Sequence, residues 1–211
     1  MSTIAATFSQ NGEDLKIAEY TASIKNGKFL DIGGGDGITF SNSKALVDRG
    51  WSGVIVEPGI DSFRKLMELH GGNEKVTLVH AAVGADKQLA RFWDCGDMYS
   101  TTEAGNFAKW KEYCKKQGIP FKAPYWTPQI SIVDLLAQFN GPYDVMSVDT
   151  EGTSVSIFSR AMQSMWALPP RVIVVEHDGL QQACMAVVGA RYEVVDHNAE
   201  NLVLVRRDNR Q

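Results

Sequence analysis

Two short acidic clusters hold the side chains best suited to proton chemistry. They are Ser147-Val-Asp-Thr-Glu-Gly152 and Glu176-His-Asp178. Each follows an apolar run, so on neighbouring parallel strands both clusters reach one sheet edge. Asp149, Glu151 and His177 could then surround an acceptor hydroxyl, where a carboxylate or imidazole takes its proton. Each has a plainer role as well. His177 could be a hydrogen-bonded structural histidine, and Asp149 could cap a helix or position a ligand. Oxygen ligands also suit Mg²⁺. Asp149, Glu151 and Asp178 could reach one ion, but no sequence spacing fixes that geometry, so no residue is assigned as a metal ligand and a divalent metal is left open. No compact His/Cys set suggests zinc.

A second constellation is Asp31-Ile-Gly-Gly-Gly-Asp-Gly37, which follows the apolar Phe29-Leu30. Glycines at 33, 35 and 37 allow positive φ and close approach of a ligand to the backbone. A P-loop needs a Lys-Ser/Thr pair after the glycines, and none occurs. The dinucleotide fingerprint G-x-G-x-x-G fails too, because Ile38 and Phe40 stand at the sixth positions. Asp31 and Asp36 suit instead a ligand carrying positive charge or amino and hydroxyl donors. The ammonium and sulfonium of S-adenosyl-L-methionine supply such charge. Glu57 ends the next apolar run, about twenty residues after the glycines, where an acid can accept bonds from both ribose hydroxyls. Pro58 helps stop that strand. Ala82 and Val83 end the third run, either lining an adenine pocket or simply buried.

The elements that must position these groups alternate. Apolar runs at Lys28–Ile32, 53–56, 76–82, 143–148 and 171–175 are expected as strands covered on both faces. Helices are expected over 41–49, 61–70, 131–139, 153–165 and 180–188. The 131–139 helix opens on Ser131-Ile-Val-Asp134, whose spacing resembles a capping box. The order predicts a doubly wound, mostly parallel α/β sheet. Runs at 192–196 and 202–206 predict a C-terminal antiparallel hairpin, which completes seven strands. Residues 86–130 interrupt the alternation. An extra strand is expected at 88–93, a helix at 107–117 and a loop at 118–128. The stretch 96–128 is a candidate substrate-specificity insertion. Trp110, Tyr113, Tyr125 and Trp126 within it could form a substrate wall or pack into a core. Its lysines, Lys109, Lys111, Lys115, Lys116 and Lys122, are a solvated face or a site for an anionic acceptor.

The chain has 211 residues, 44% of them hydrophobic, which suits one domain over 1–211. A formal net charge of -4 gives no global pull toward nucleic acid or anionic membranes. Three scattered cysteines form neither a zinc motif nor a disulfide scaffold and fit free thiols in the cytoplasm. The first 27 residues lack the apolar core of a signal peptide, and no apolar run is long enough to insert in a membrane. Oligomeric state is not set by the sequence.

The ordered motifs resemble the FkbM-like family of S-adenosylmethionine-dependent methyltransferases. The match begins at Phe8-Ser-Gln-Asn-Gly-Glu-Asp14, continues through Phe29–Gly37 and Gly50-Trp-Ser-Gly53, and includes Val56-Glu-Pro58 and Ala82-Val-Gly84. Ser131-Ile-Val-Asp-Leu135, Ser147–Gly152 and Val175-Glu-His177 complete it. The resemblance implies a class I, Rossmann-like methyltransferase that methylates a hydroxyl of a small molecule or carbohydrate, with S-adenosyl-L-homocysteine as product. It implies that Asp31, Gly33 and Gly35 contact the donor's methionine half and that Glu57 binds ribose; Gly34, Asn42, Pro58, Ala82, Val83 and Asp149 are further candidate cofactor-binding residues. Gln10 would fold over the site, and Asp149 and Glu151 would face the reaction region. Two features depart from the usual pattern. Ile32 separates Asp31 from Gly33, and no acid directly precedes Ala82. The alternatives are a methyltransferase of nucleic acid or protein, and a non-catalytic cofactor-binding module.

Overall fold

The computed structural model describes residues 7–95, 99–119 and 122–207. Along the chain its elements are α1 (Glu13–Tyr20), β1 (Lys28–Ile32), α2 (Lys44–Asp48), β2 (Ser52–Val56), α3 (Ile60–His70), β3 (Val76–Val79), β4 (Ala82–Gly84), β5 (Gln88–Phe92) and α4 (Ala104–Gln117). There follow β6 (Tyr125–Ser131), α5 (Ile132–Gln138), β7 (Val145–Val148), α6 (Ser154–Ser164), β8 (Val172–Glu176), α7 (Gln181–Val188), β9 (Tyr192–His197) and β10 (Asn201–Arg206).

Successive strand side chains point to opposite faces, and here both faces are covered. Leu30, Ile32, Met146, Val148, Ile173 and Val175 pack with α5, α6 and α7. Phe29, Ile55, Val145, Val172 and Val174 pack on the other side with Ile17 of α1, Leu46 of α2 and Leu66 of α3. Double coverage is why these strands are apolar almost throughout. The resulting seven-stranded sheet has the order β3-β2-β1-β7-β8-β10-β9. Its first five strands are parallel, and β10 runs antiparallel to both neighbours. The chain moves outward from β1 to β3 and then returns to place β7 on the other side of β1. A crevice must open between β1 and β7 at their carboxyl ends.

Four details differ from the sequence expectation. The run 76–82 is two strands. β3 stops at Val79 in the large sheet, and Ala82 begins β4 in a separate sheet of order β4-β6-β5. The 118–128 loop is in part β6. Pro128 is accommodated there because β4 pairs only from Gln129 onward, so no neighbour on that side needs its missing N–H. The helix expected from 41 starts at Lys44, since Ser41 folds into a turn whose Oγ accepts the N–H groups of Ser43 (3.3 Å) and Lys44 (3.0 Å). Helix α1 was not expected, because Ile17 is the one apolar residue it buries. The Ser131 cap is present, its Oγ accepting the Asp134 N–H at 3.0 Å. Among the described residues no helix is long and apolar enough to cross a membrane.

Candidate functional site

A cleft of about 800 Å³ opens at the carboxyl ends of β1, β2, β7 and β8. One half is built on the glycine loop. The N–H groups of Gly33 and Gly34 donate to the Val56 carbonyl (2.9 and 3.2 Å), which carries the β1–β2 pairing into the turn. Gly33 has φ 86°, and a Cβ there would lie 1.6 Å from the Asp149 carbonyl oxygen. Only glycine lets the loop pass this close to β7. Gly35 has φ 56° and faces open space. Its N–H donates to Glu57 Oε2 at 3.0 Å, while Gly59 N–H donates to Oε1 at 2.6 Å. Glu57 is thereby fixed at the rim.

Asp31 is fully buried, and its partners are neutral hydroxyls. Ser43 Oγ donates at 2.6 Å, and Ser147 donates as well. Burial outweighs these bonds and raises the Asp31 carboxyl above its ordinary range. Asn42 Nδ2 donates to Ser147 Oγ at 3.2 Å, whereas its buried Oδ1 has no hydrogen-bond partner among the described residues. This half therefore presents a buried carboxylate, an orphaned amide oxygen, an open glycine and a rim acid. The set fits a ligand with a cationic group at one end and hydroxyls at the other. Asp36 is occupied differently. It accepts from the Ile38 and Thr39 N–H groups (2.9 and 2.7 Å) and closes its own turn.

The other half is carboxylate-rich. Oxygens of Asp149, Glu151 and Glu176 lie within 4.8 Å of one another. Glu176 Oε2 accepts from Ser154 Oγ (2.6 Å) and from Glu151 N–H (3.0 Å). Those bonds favour its charged form, yet burial pushes its carboxyl up. Asp149 is held well above the usual carboxylate range by burial and then by the charges of Glu176 and Glu151. Glu151 is pushed up to about 8, chiefly by burial and next by Glu176. A group protonating near 8 is well matched to proton transfer near neutral pH. Glu151 and Asp178 both have left-handed backbones, with φ 52° and 48°. Non-glycine residues rarely adopt this conformation, and here it turns two carboxylates toward one cleft.

All the residues expected at the donor, together with Glu151, line this cleft. His177 does not. It is 1% exposed, its Nδ1 accepts the Gly179 N–H at 3.0 Å, and its Nε2 faces the Asn198 carbonyl at 3.2 Å. That pattern puts the ring proton on Nε2 and leaves no free lone pair for an acceptor. Glu176, which takes its place in the cleft, was not singled out. The Glu-His-Asp order in sequence does not say which side chain turns inward.

The insertion closes the acidic half. Tyr99, Trp110 and Tyr113 line the cleft, with Tyr99 4.7 Å from Trp110 and 5.2 Å from Tyr113, centroid to centroid. Tyr125 and Trp126 lie elsewhere. The Tyr125 hydroxyl accepts the Ile60 N–H at 3.1 Å, and Trp126 is 66% exposed. Lys109 also lines the cleft, whereas Lys122 bridges Asp61 (2.7 Å) and Asp94 (3.0 Å).

No protein-family model and no curated protein matches the chain. Solved structures do. Methyltransferase FkbM from Methylobacillus flagellatus matches with a TM-score of 0.55 and 10% identity over 86% of this chain. The chain spans 44% of that protein's length. A proposed methyltransferase from Escherichia coli, yhhF, matches with a TM-score of 0.52 and 10% identity over 97% of this chain and 90% of its own. The chain thus has the class I S-adenosylmethionine-dependent methyltransferase fold. These two proteins carry different descriptions and each is only 10% identical to the chain, so the shared property is this fold and not FkbM membership.

Proposed function

We propose that the protein is an S-adenosyl-L-methionine-dependent O-methyltransferase acting on a hydroxyl of a small molecule or carbohydrate. The observation that carries the reading is the continuity of the two halves of the cleft. Asp31, Asn42 Oδ1 and the open Gly35 lie on one side, Glu57 at the rim, and the Asp149/Glu151/Glu176 carboxyls on the other. Asp31 and Asn42 would hold the methionine ammonium, Glu57 the ribose hydroxyls, and Ala82 and Val83 the adenine ring. Gln10 lines the opening from the N-terminal segment. When bound, the donor supplies an electrophilic methyl on a positively charged sulfur and leaves as S-adenosyl-L-homocysteine.

The chain's own part is positioning and proton transfer. Asp149 orients the acceptor. Glu151 takes the hydroxyl proton at its carboxylate, and Tyr99, Trp110 and Tyr113 of the insertion, whose residues 96–98 and 120–121 lie outside the described residues, shape the acceptor end. His177 anchors the turn after β8. The excess of carboxylates over Lys109 disfavours a phosphodiester backbone and supports a small acceptor. The three cysteines are free and buried, in keeping with a cytoplasmic protein.

The test combines calorimetry with the donor and product and a radiolabelled-donor assay over sugars, phenolic metabolites, RNA and protein. Label entering hydroxyl-bearing small molecules is the expected result. Failure to bind either cofactor form, label confined to polymers, or an Asp149→Asn variant as fast as the parent each counts against the reading.

A further inference from the structure

We propose that Trp110, carried by α4 of the insertion, is a positioning residue for Glu151, its indole N–H holding the carboxylate in the orientation that faces the acceptor. The proposal rests on the reading above, in which Glu151 takes the acceptor's proton.

The backbone of Glu151 is fixed on both sides. Its N–H donates to Glu176 Oε2 at 3.0 Å, and its carbonyl accepts Thr101 Oγ1 at 2.7 Å. Its remaining freedom is in the side-chain torsions, and a long acid in an open cleft samples several rotamers. Trp110 Nε1 removes that freedom by donating to Glu151 Oε2 at 3.0 Å. The indole is itself immobilised. Tyr99 packs against it at 4.7 Å, Tyr113 meets it edge-on at 5.9 Å, and the Lys109 ammonium sits 4.4 Å from its centroid. Tryptophan donates but never accepts, so this bond favours the charged, proton-accepting form of Glu151.

Every element packed around Glu151 contributes charge. Glu176 of β8 and Asp178 beyond it raise its proton affinity, while the indole and Lys109 of α4 lower it. Asp149 after β7 and Tyr99 ahead of α4 also interact with it electrostatically. The insertion thus supplies both groups that oppose the carboxylate repulsion, one donor and one charge. Deprotonating Glu151 near neutral pH depends on a helix outside the seven-stranded sheet.

The bond can be observed without donor or acceptor. In ¹⁵N-labelled intact protein, the Trp110 indole N–H is identified among the five tryptophans by its loss in Trp110→Phe. Its resonance is expected to move with pH, with a midpoint near 8, and to stop moving in Glu151→Gln. In Trp110→Phe the Glu151 carboxyl, followed by ¹³C, is expected to titrate at higher pH than in the parent. An indole resonance that is flat between about pH 6 and 10, or that still titrates in Glu151→Gln, overturns the proposal. If Trp110→Phe folds poorly, the Trp110 indole is assigned in the parent by through-bond triple-resonance spectra, and the comparison with Glu151→Gln stands. Donor calorimetry on the same samples separates the two readings. Indole titration without donor binding keeps the contact and removes the methyltransferase, and donor binding with a flat indole does the reverse.

Discussion

Asp31 is a buried acid whose structural partners, Ser43 and Ser147, are both neutral. A charge-assisted bond to an ammonium is worth about 1.5–3 kcal/mol. Asp31→Ala should therefore weaken donor binding about tenfold to a hundredfold. An unchanged calorimetric Kd would remove the residue from the donor site. Glu151 carries a different prediction. Its folded-state value of about 8 stands above the ordinary 4.5, so the folded chain holds this proton more tightly than the unfolded chain does. The stability it contributes is complete below 4.5 and is lost as pH rises from 4.5 to about 8. Glu151→Gln cannot ionise and should give a flatter Tm-against-pH curve across that window. Parallel curves for parent and variant would show that Glu151 is not held protonated.

At the scale of elements, the turn after β1 makes two glycines non-equivalent. Gly33→Ala puts a methyl 1.6 Å from the Asp149 carbonyl oxygen, which is backbone and cannot swing away. We expect a loss above about 3 kcal/mol in urea unfolding. Gly35→Ala meets nothing within 4 Å. It should cost only about 1 kcal/mol for a left-handed alanine, yet its methyl projects into the cleft and should lower donor affinity more than stability. Equal losses of stability would refute this division of roles. The same scale shows why some elements were legible and others not. β1, β2, β7 and β8 are buried on both faces and so stand out as apolar runs. β6 faces water on one side through Trp126 and Pro128 and carries a proline in its middle, so its pattern resembles a loop. The break between β3 and β4 falls at His80-Ala81, with no glycine or proline to mark it.

Over the whole molecule, the N-terminal segment is tied to the C-terminal hairpin at the cleft mouth. Glu13, 1% exposed, accepts from Asn198 Nδ2 (2.8 Å), Asn201 Nδ2 (2.9 Å) and Asn11 N–H (2.9 Å). Gln10 and Asn11 each reach Glu200 at 3.3 Å. Glu13→Ala leaves buried donors unmatched and should destabilise the fold by about 3 kcal/mol. Donor affinity should fall with it, because Gln10 and Glu200 line the opening. Urea unfolding and calorimetry would measure the two effects, and a change below about 1 kcal/mol would show that the clasp is not structural.

Sequence alone determined the parallel sheet, its closing hairpin, the glycine turn and the acids beside it. These depend on local chemistry: burial on both faces, permitted φ angles and strand-end polarity. It also supplied Asp149 and Glu151 as candidates, because they follow an apolar strand directly. Only the tertiary structure decided that Glu176 faces the cleft while His177 turns into the hairpin, and that Trp110 meets Glu151 across 41 residues. Which way a side chain turns, and how strongly it holds a proton, is set by the neighbours that desolvate and charge it. Those neighbours come from strands and an inserted helix far apart in the chain.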